Sequence, residues 1–232
     1  MNVLVGTSGY QYKEWKGTFY PDDMATAGML SYYAGVFPTC EINNTFYRNP
    51  KENVVLKWAE QVPDTFRFVL KASRRITHNH RLKNADEPLK WYLQACSYLE
   101  GKRGPSLFQL PPNMKKDADR LRSFLAQLPH GWRSAFEFRH DSWFDDETYE
   151  ILRSKNCALC IADMDDKEVA RVATADWGYL RLRGQAYKKK DLKDWAEWVT
   201  GQPWDDAFVF FKHEEEGSGP EFGKQFMKLV GS

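Results

Sequence analysis

The feature that most constrains this 232-residue chain is the regular alternation of short apolar runs with stripes of helical periodicity. Eight runs have the length of a strand, and apolar residues at i, i+3, i+4 and i+7 recur between most of them. Repeated strand–helix units predict parallel strand pairing in an α/β fold. The predicted strands are residues 3–7, 41–43, 67–70, 106–109, 135–138, 158–162, 179–182 and 208–211.

The turn after the first strand decides between the two parallel architectures that suit eight strands. An open dinucleotide-binding sheet needs G-x-G-x-x-G at this turn. The chain has Gly6-Thr7-Ser8-Gly9-Tyr10 instead, which lacks that spacing. We therefore predict a (β/α)₈ TIM-barrel-like fold. No Gly-, Ser- or Pro-rich linker interrupts the chain, so residues 1–232 are predicted to form one domain.

Composition limits the classes of partner. The 33 Lys and Arg residues nearly balance 32 Asp and Glu residues, which argues against a dedicated polyanion-binding protein. No segment approaches the roughly 20 apolar residues of a membrane span, and the N-terminus does not resemble a signal peptide. We predict a cytoplasmic protein with no membrane partner and no organic cofactor. The 15% aromatic content is enough to line a pocket as well as a core.

Polar residues cluster where the predicted strands end, and in a barrel of this kind the chemistry lies at the carboxyl ends of the strands. Side chains two residues apart on a strand share a face. Three pairs are therefore expected to point together into the barrel mouth: Glu41 with Asn43, Glu137 with Arg139, and Arg181 with Arg183. A purely structural set of ion pairs closing the barrel is the competing interpretation.

Two carboxylates are the candidate catalytic residues. Glu137 lies between Phe136 and Phe138 with Arg139 on the same face, and Glu41 lies on a different strand. Carboxylates on separate strands can divide the roles of general acid and general base. Whether the protein is an enzyme is left open by the sequence.

Cations from several strands are the second strong feature. The guanidinium fork of arginine suits phosphate and carboxylate groups, and aromatic faces suit a sugar ring or a base. The expected partner is a small anionic molecule, phosphorylated or carboxylated. The candidate binding residues are Tyr10, Asn43, Tyr47, Lys71, Gln109, Arg139, Trp143, Arg181, Arg183 and Lys212.

Two other functions stay open at this stage. A non-catalytic module could use the same basic mouth to bind protein or nucleic acid, although the charge balance does not favour nucleic acid. A metal-dependent sugar isomerase or lyase could take ligands from Glu137, His140, Asp163 and His213, but their spacing matches no known ligand motif, and no metal site is predicted.

Five blocks of sequence resemble the YecE-like family, known as domain of unknown function 72. They are Gly6-Thr7-Ser8-Gly9-Tyr10 through Phe19-Tyr20-Pro21; Glu41-x-Asn43-x-Thr45-Phe46-Tyr47; Phe66-x-Phe68-x-x-Lys71; Leu107-Phe108-Gln109-Leu110-Pro111-Pro112; and Glu137-Phe138-Arg139-His140-x-Ser142-Trp143. The resemblance covers essentially the whole chain. It implies a TIM-barrel-like fold and a cytosolic protein, and it supplies no reaction. The chain differs from the family pattern at Arg183, where members usually carry histidine, and at Lys212-His213, where members are often Asn-rich.

Overall fold

Eight parallel strands with intervening helices form a nearly closed barrel in the computed structural model, which describes residues 1–163, 170–213 and 217–231. The strands are β1 (Asn2–Thr7), β2 (Thr39–Ile42), β3 (Arg67–Lys71), β4 (Arg103–Gln109), β5 (Ser134–Glu137), β6 (Ala158–Ala162), β7 (Trp177–Leu182) and β8 (Asp206–Phe211). The helices are α1 (Met29–Ala34), α2 (Glu52–Glu60), α3 (Asp86–Ser97), α4 (Ala118–Leu125), α5 (Asp146–Arg153), α6 (Lys189–Thr200) and α7 (Ser218–Val230). The predicted barrel is confirmed.

Strand alternation divides the core into two layers. One face of each strand packs outward against the helices, as Val5, Phe108 and Leu180 do. The other face fills the lower half of the barrel with apolar side chains. These interior residues are Leu4, Val69, Leu107, Ala135, Ala158, Cys160, Trp177, Tyr179, Phe208 and Phe210. The barrel is thus a packed core below its carboxyl-terminal mouth.

The connections follow the predicted helical stripes. Asp117 and Asp145 begin α4 and α5 by accepting hydrogen bonds from the backbone N–H groups of Arg120 and Thr148. The described part of the connection from β6 to β7 contains no helix, and residues 164–169 within it lie outside the described residues. In the same described ranges, no helix combines the length and apolar character that crossing a membrane requires.

The barrel closes where β1 meets β2. Ser8 and Glu41 form an isolated parallel bridge, and the Gly9 N–H donates to the Glu41 carbonyl oxygen at 2.8 Å. Gly6 makes this approach possible, because a Cβ atom there would lie 2.1 Å from the Thr39 carbonyl oxygen. The closure therefore depends on a glycine inside a strand.

Replacing Gly6 with alanine is expected to lower the free energy of unfolding by about 2–3 kcal/mol, because the added methyl group collides with backbone that cannot move aside. Urea denaturation measures the change. Gly28→Ala is the matched control, since open space surrounds a Cβ atom there. Equal stability of the two variants would contradict this account of the closure.

Candidate functional site

The polar residues predicted at the strand ends lie directly above the apolar interior. On five strands, the interior face continues by two residues from an apolar side chain to a polar one, as from Val69 to Lys71 or from Leu107 to Gln109. The same step leads from Ala135 to Glu137, from Tyr179 to Arg181 and from Phe210 to Lys212. The strand alternation itself therefore builds a polar layer at the mouth.

Arg181 joins two carboxylates at the centre of this layer. Its two terminal nitrogens donate to Glu137 Oε2 at 2.5 Å and to Glu41 Oε1 at 2.8 Å. The Arg181 side chain is 1% exposed and both glutamates are fully buried. Since a buried charge needs a partner, the three residues stabilise one another across β2, β5 and β7.

Further hydrogen bonds engage both oxygens of each glutamate. Glu41 accepts from Ser8 Oγ at 2.7 Å, Asn43 Nδ2 at 3.1 Å and Tyr179 Oη at 2.6 Å. Glu137 accepts from Gln109 Nε2 at 2.8 Å and from Arg183 at 3.2 Å. Each carboxylate is thus surrounded by donors.

These contacts keep both carboxylates ionised. Burial alone would raise the pKa of Glu137, but the charges of Arg181 and Arg183 outweigh it and lower that pKa to about 2. Burial acts the same way on Glu41, and the Arg181 charge together with the Tyr179 hydroxyl holds the pKa of Glu41 below its usual range. Neither group exchanges a proton readily near neutral pH.

Two other groups have lowered pKa values. Burial and the positive charge of Arg181 lower the pKa of Lys71 to about 8. Burial and the neighbouring Lys71 charge lower the pKa of His78 below its ordinary value. Both side chains contact the Phe46 ring, with Lys71 Nζ 4.2 Å and the His78 ring 4.9 Å from its centroid.

A cavity of about 470 Å³ opens above the buried carboxylates. Among the described residues, six cationic side chains and no carboxylate line it. Its lining consists of Tyr12, Asn43, Phe46, Tyr47, Lys71, Arg74, His78, Gln109, Arg139, Arg181, Arg183 and Lys212. The mouth therefore presents a positive surface above two ionised glutamates whose charges are paired with Arg181.

Three buried polar atoms of this lining have no hydrogen-bond partner among the described residues: Nε of Arg181, Nε of Arg183 and Oδ1 of Asn43. Unpaired buried polar atoms are uncommon in folded proteins, and each calls for a physical reason. All three atoms belong to residues that line the cavity.

The structure brings together eight of the ten predicted binding residues: Asn43, Tyr47, Lys71, Gln109, Arg139, Arg181, Arg183 and Lys212. Trp143 lies elsewhere, fully buried against Phe138 and donating its indole N–H to the Met114 carbonyl at 2.8 Å. Tyr10 packs against Tyr33 outside the lining. Whether the eight bind a ligand stays a prediction.

Four lining residues were not predicted: Tyr12, Phe46, Arg74 and His78. Phe46 was within reach of sequence reasoning, because it adjoins Tyr47 after β2. Arg74 and His78 come from the segment after β3, where residues Arg75–Asn79 form a π-helical turn. π-Helical turns occur often at functional sites, but no sequence pattern in this segment predicts one.

The residues considered as metal ligands have other contacts. Asp163 accepts a hydrogen bond from Tyr187 Oη at 2.6 Å, and His213 Nε2 lies 2.5 Å from the Gly184 carbonyl oxygen. His140 Nδ1 accepts from the Ser142 N–H and caps a short helical turn. Within residues 1–163, 170–213 and 217–231, no three His, Cys, Asp or Glu side chains form a group that could hold a metal ion.

A family model described as "Protein of unknown function DUF72" matches residues 4–232. The chain belongs to the DUF72 family. The resemblance found in the sequence blocks is thereby confirmed.

Individual DUF72 and UPF0759 proteins show the same relationship. The UPF0759 protein YecE of Escherichia coli strain K12 is 35% identical over 116 residues, which are 50% of this chain and 43% of YecE. The matched part therefore spans less than half of that relative. The UPF0759 protein YunF of Bacillus subtilis strain 168 is 23% identical, with 98% of this chain and 94% of YunF covered.

A solved DUF72 family protein from Thermotoga maritima superimposes with a TM-score of 0.86 at 25% identity, and 100% of each chain is covered. The barrel described above is therefore the fold of solved members of the DUF72 family.

Proposed function

We propose that the barrel mouth binds a small molecule bearing a phosphate or carboxylate group and converts it by acid–base chemistry. The observation that carries this proposal is the charge of the lining, which has six cations and no carboxylate among its described residues. An anion from solution would relieve the repulsion among these cations.

Ion pairing within the protein leaves much of this charge uncompensated. Glu41 and Glu137 are engaged by Arg181, and Arg183 also contacts Glu137. In the described part of the chain, Lys71, Arg74 and Lys212 make no ion pair with a carboxylate. Arginine and lysine at a concave, partly buried surface are the groups that proteins use to bind phosphate and carboxylate.

The geometry favours different proton-transfer groups from those chosen in the sequence analysis. Glu41 and Glu137 lie beneath the cavity surface and are held ionised, so in this proposal they orient Arg181. Lys71 and His78 both line the cavity. Lys71, with its pKa lowered to about 8, can give or take a proton near neutrality, and the lowered pKa of His78 favours the neutral imidazole, which can accept one.

Arg183→Ala tests the proposal. The variant is expected to bind inorganic phosphate about 1.5–3 kcal/mol more weakly, the range for a charge-assisted hydrogen bond, or roughly ten- to a hundredfold in Kd. Isothermal titration calorimetry measures both proteins, and circular dichroism checks that the variant is folded.

Arg122→Ala is the control, because Arg122 is half-exposed on α4 and pairs there with Asp119 and Glu147. It should bind phosphate like the wild type. No binding by the wild type at millimolar phosphate, or equal binding by the Arg183 variant, would remove the proposal.

A further inference from the structure

Lys71 differs from the other cations of the cavity in how its amine is held. The side chain is only 9% exposed, and Nζ donates a hydrogen bond to Gln109 Oε1 at 2.8 Å. The Phe46 ring covers Nζ at 4.2 Å. No carboxylate oxygen of the described residues lies within ion-pairing distance of it.

Gln109 holds the Lys71 amine in position whether the amine is charged or neutral. The Gln109 Nε2 group donates to Glu137 Oε2 at 2.8 Å, which turns the amide oxygen toward Lys71. An amide oxygen accepts a hydrogen bond from an ammonium group and from a neutral amine alike. Lys71 can therefore lose a proton while its nitrogen stays in place at the cavity surface.

The surroundings also increase the fraction of Lys71 that carries a neutral amine. Burial and the Arg181 charge lower the pKa of Lys71 to about 8, so about a tenth of the molecules carry a nucleophilic amine at pH 7. Lysine amines desolvated beside another cation are the ones that form covalent adducts with carbonyl compounds. The neighbouring Arg183 and Lys212 would bind an anionic group of the same molecule.

We propose that Lys71 forms an imine with the carbonyl carbon of an aldehyde or ketone that also carries a phosphate or carboxylate group. The inference rests on the proposed function, because the anionic group must bind first to bring the carbonyl to Nζ. It narrows the substrate class from anions in general to anionic carbonyl compounds.

The step balances without a cofactor. The Nζ lone pair forms a C–N bond, and the carbonyl π electrons move onto oxygen. The oxygen leaves as water with one proton from Nζ and one from solvent, which leaves a protonated imine. Hydrolysis by the reverse steps regenerates the free amine.

Borohydride trapping tests this inference directly. Wild-type protein is incubated with dihydroxyacetone phosphate or with pyruvate, then reduced with sodium borohydride, which converts an imine to a stable secondary amine. Intact mass gives the extent of labelling, and peptide mapping gives the residue. Lys71 should carry roughly tenfold or more label than Lys212, since a desolvated amine reacts as the neutral form.

Two controls separate a specific reaction from surface labelling. Uncharged dihydroxyacetone has the same carbonyl group without the phosphate and should label Lys71 far less. Lys71→Arg should lose the label, whereas Lys193→Met, at an exposed lysine of α6 that pairs with Glu197, should keep label at position 71. Mapping in the wild-type protein gives the result even where a variant is unstable.

The outcomes distinguish the inference from the proposed function. Phosphate binding by calorimetry without preferential labelling of Lys71 by either probe would overturn the inference and leave the proposed function standing. Absence of phosphate binding would remove both. Labelling at Lys71 that excess inorganic phosphate suppresses would support both.

Discussion

Replacing Arg181 with methionine is expected to lower the free energy of unfolding by about 3–5 kcal/mol at neutral pH, because Glu41 and Glu137 would then be buried without their shared partner. Methionine fills similar space with a flexible apolar chain, so the loss comes mainly from the bare charges. Urea denaturation at pH 7 measures the change.

A combined variant identifies the physical cause of the stability lost in the Arg181 variant. Glu41→Gln/Glu137→Gln/Arg181→Met removes both buried carboxylate charges together with their shared partner, and most of the lost stability should return. Arg153→Met, which breaks an exposed pair with Glu150, should change stability by less than about 1 kcal/mol. A combined variant as unstable as the single Arg181 variant would show that packing, not charge, dominates.

Glu137→Gln is expected to be less stable than the wild type by on the order of 3 kcal/mol at pH 7, and the difference should vanish as the pH falls from about 5 to about 2. Glu137 has a folded-state pKa of about 2, below its ordinary value near 4.5. A lowered pKa adds stability above the unfolded-state pKa, and this stability is lost as the pH falls through the folded-state value. At low pH the protonated glutamate is uncharged and has nearly the same shape as glutamine, so the two proteins should have similar stability.

Chemical denaturation at several pH values between 7 and 2 follows this convergence. The control is Glu60→Gln, at an exposed position at the end of α2. The free energy of unfolding of this variant should change with pH as that of the wild type does. If the difference in the free energy of unfolding between the wild type and the Glu137 variant stayed constant with pH, the carboxylate would not be held ionised by its neighbours.

The sequence predicted the strands well, because apolar run length and alternation depend on local residues. The prediction for β6, residues 158–162, coincides with the observed strand Ala158–Ala162. The prediction for β2 was shifted, since Asn43 already leaves the strand for a short helical turn. Strand ends depend on the following turn, which alternation does not encode.

The two-residue spacing of side chains on one strand face placed site residues correctly close to the strand ends. Arg181 and Arg183 both reach the cavity, as the two-residue spacing predicts. Tyr10 lies beyond the end of β1 and Trp143 beyond the end of β5, where the chain has turned and this spacing no longer applies.

The ionised state of the two buried glutamates could not be derived from the sequence. Burial of Glu137 among aromatic residues is visible there, and burial alone raises a carboxyl pKa toward the range of a general acid. The opposing effect is the charge of Arg181, 44 residues later on β7. A sequence gives neither the distance in space between the two side chains nor the choice of partner.

The bridge made by Arg181 has a consequence for the lifetime of the folded barrel. It joins segments 140 residues apart in the case of Glu41 and 44 residues apart in the case of Glu137. Contacts of such separation cost more loop-closure entropy than local ones, so we expect them to form late in folding. Interactions that form after the rate-limiting step slow unfolding and leave the folding rate nearly unchanged. We therefore expect the Arg181 bridge to slow unfolding of the barrel, so that residues at the cavity would also prolong the time for which it stays intact.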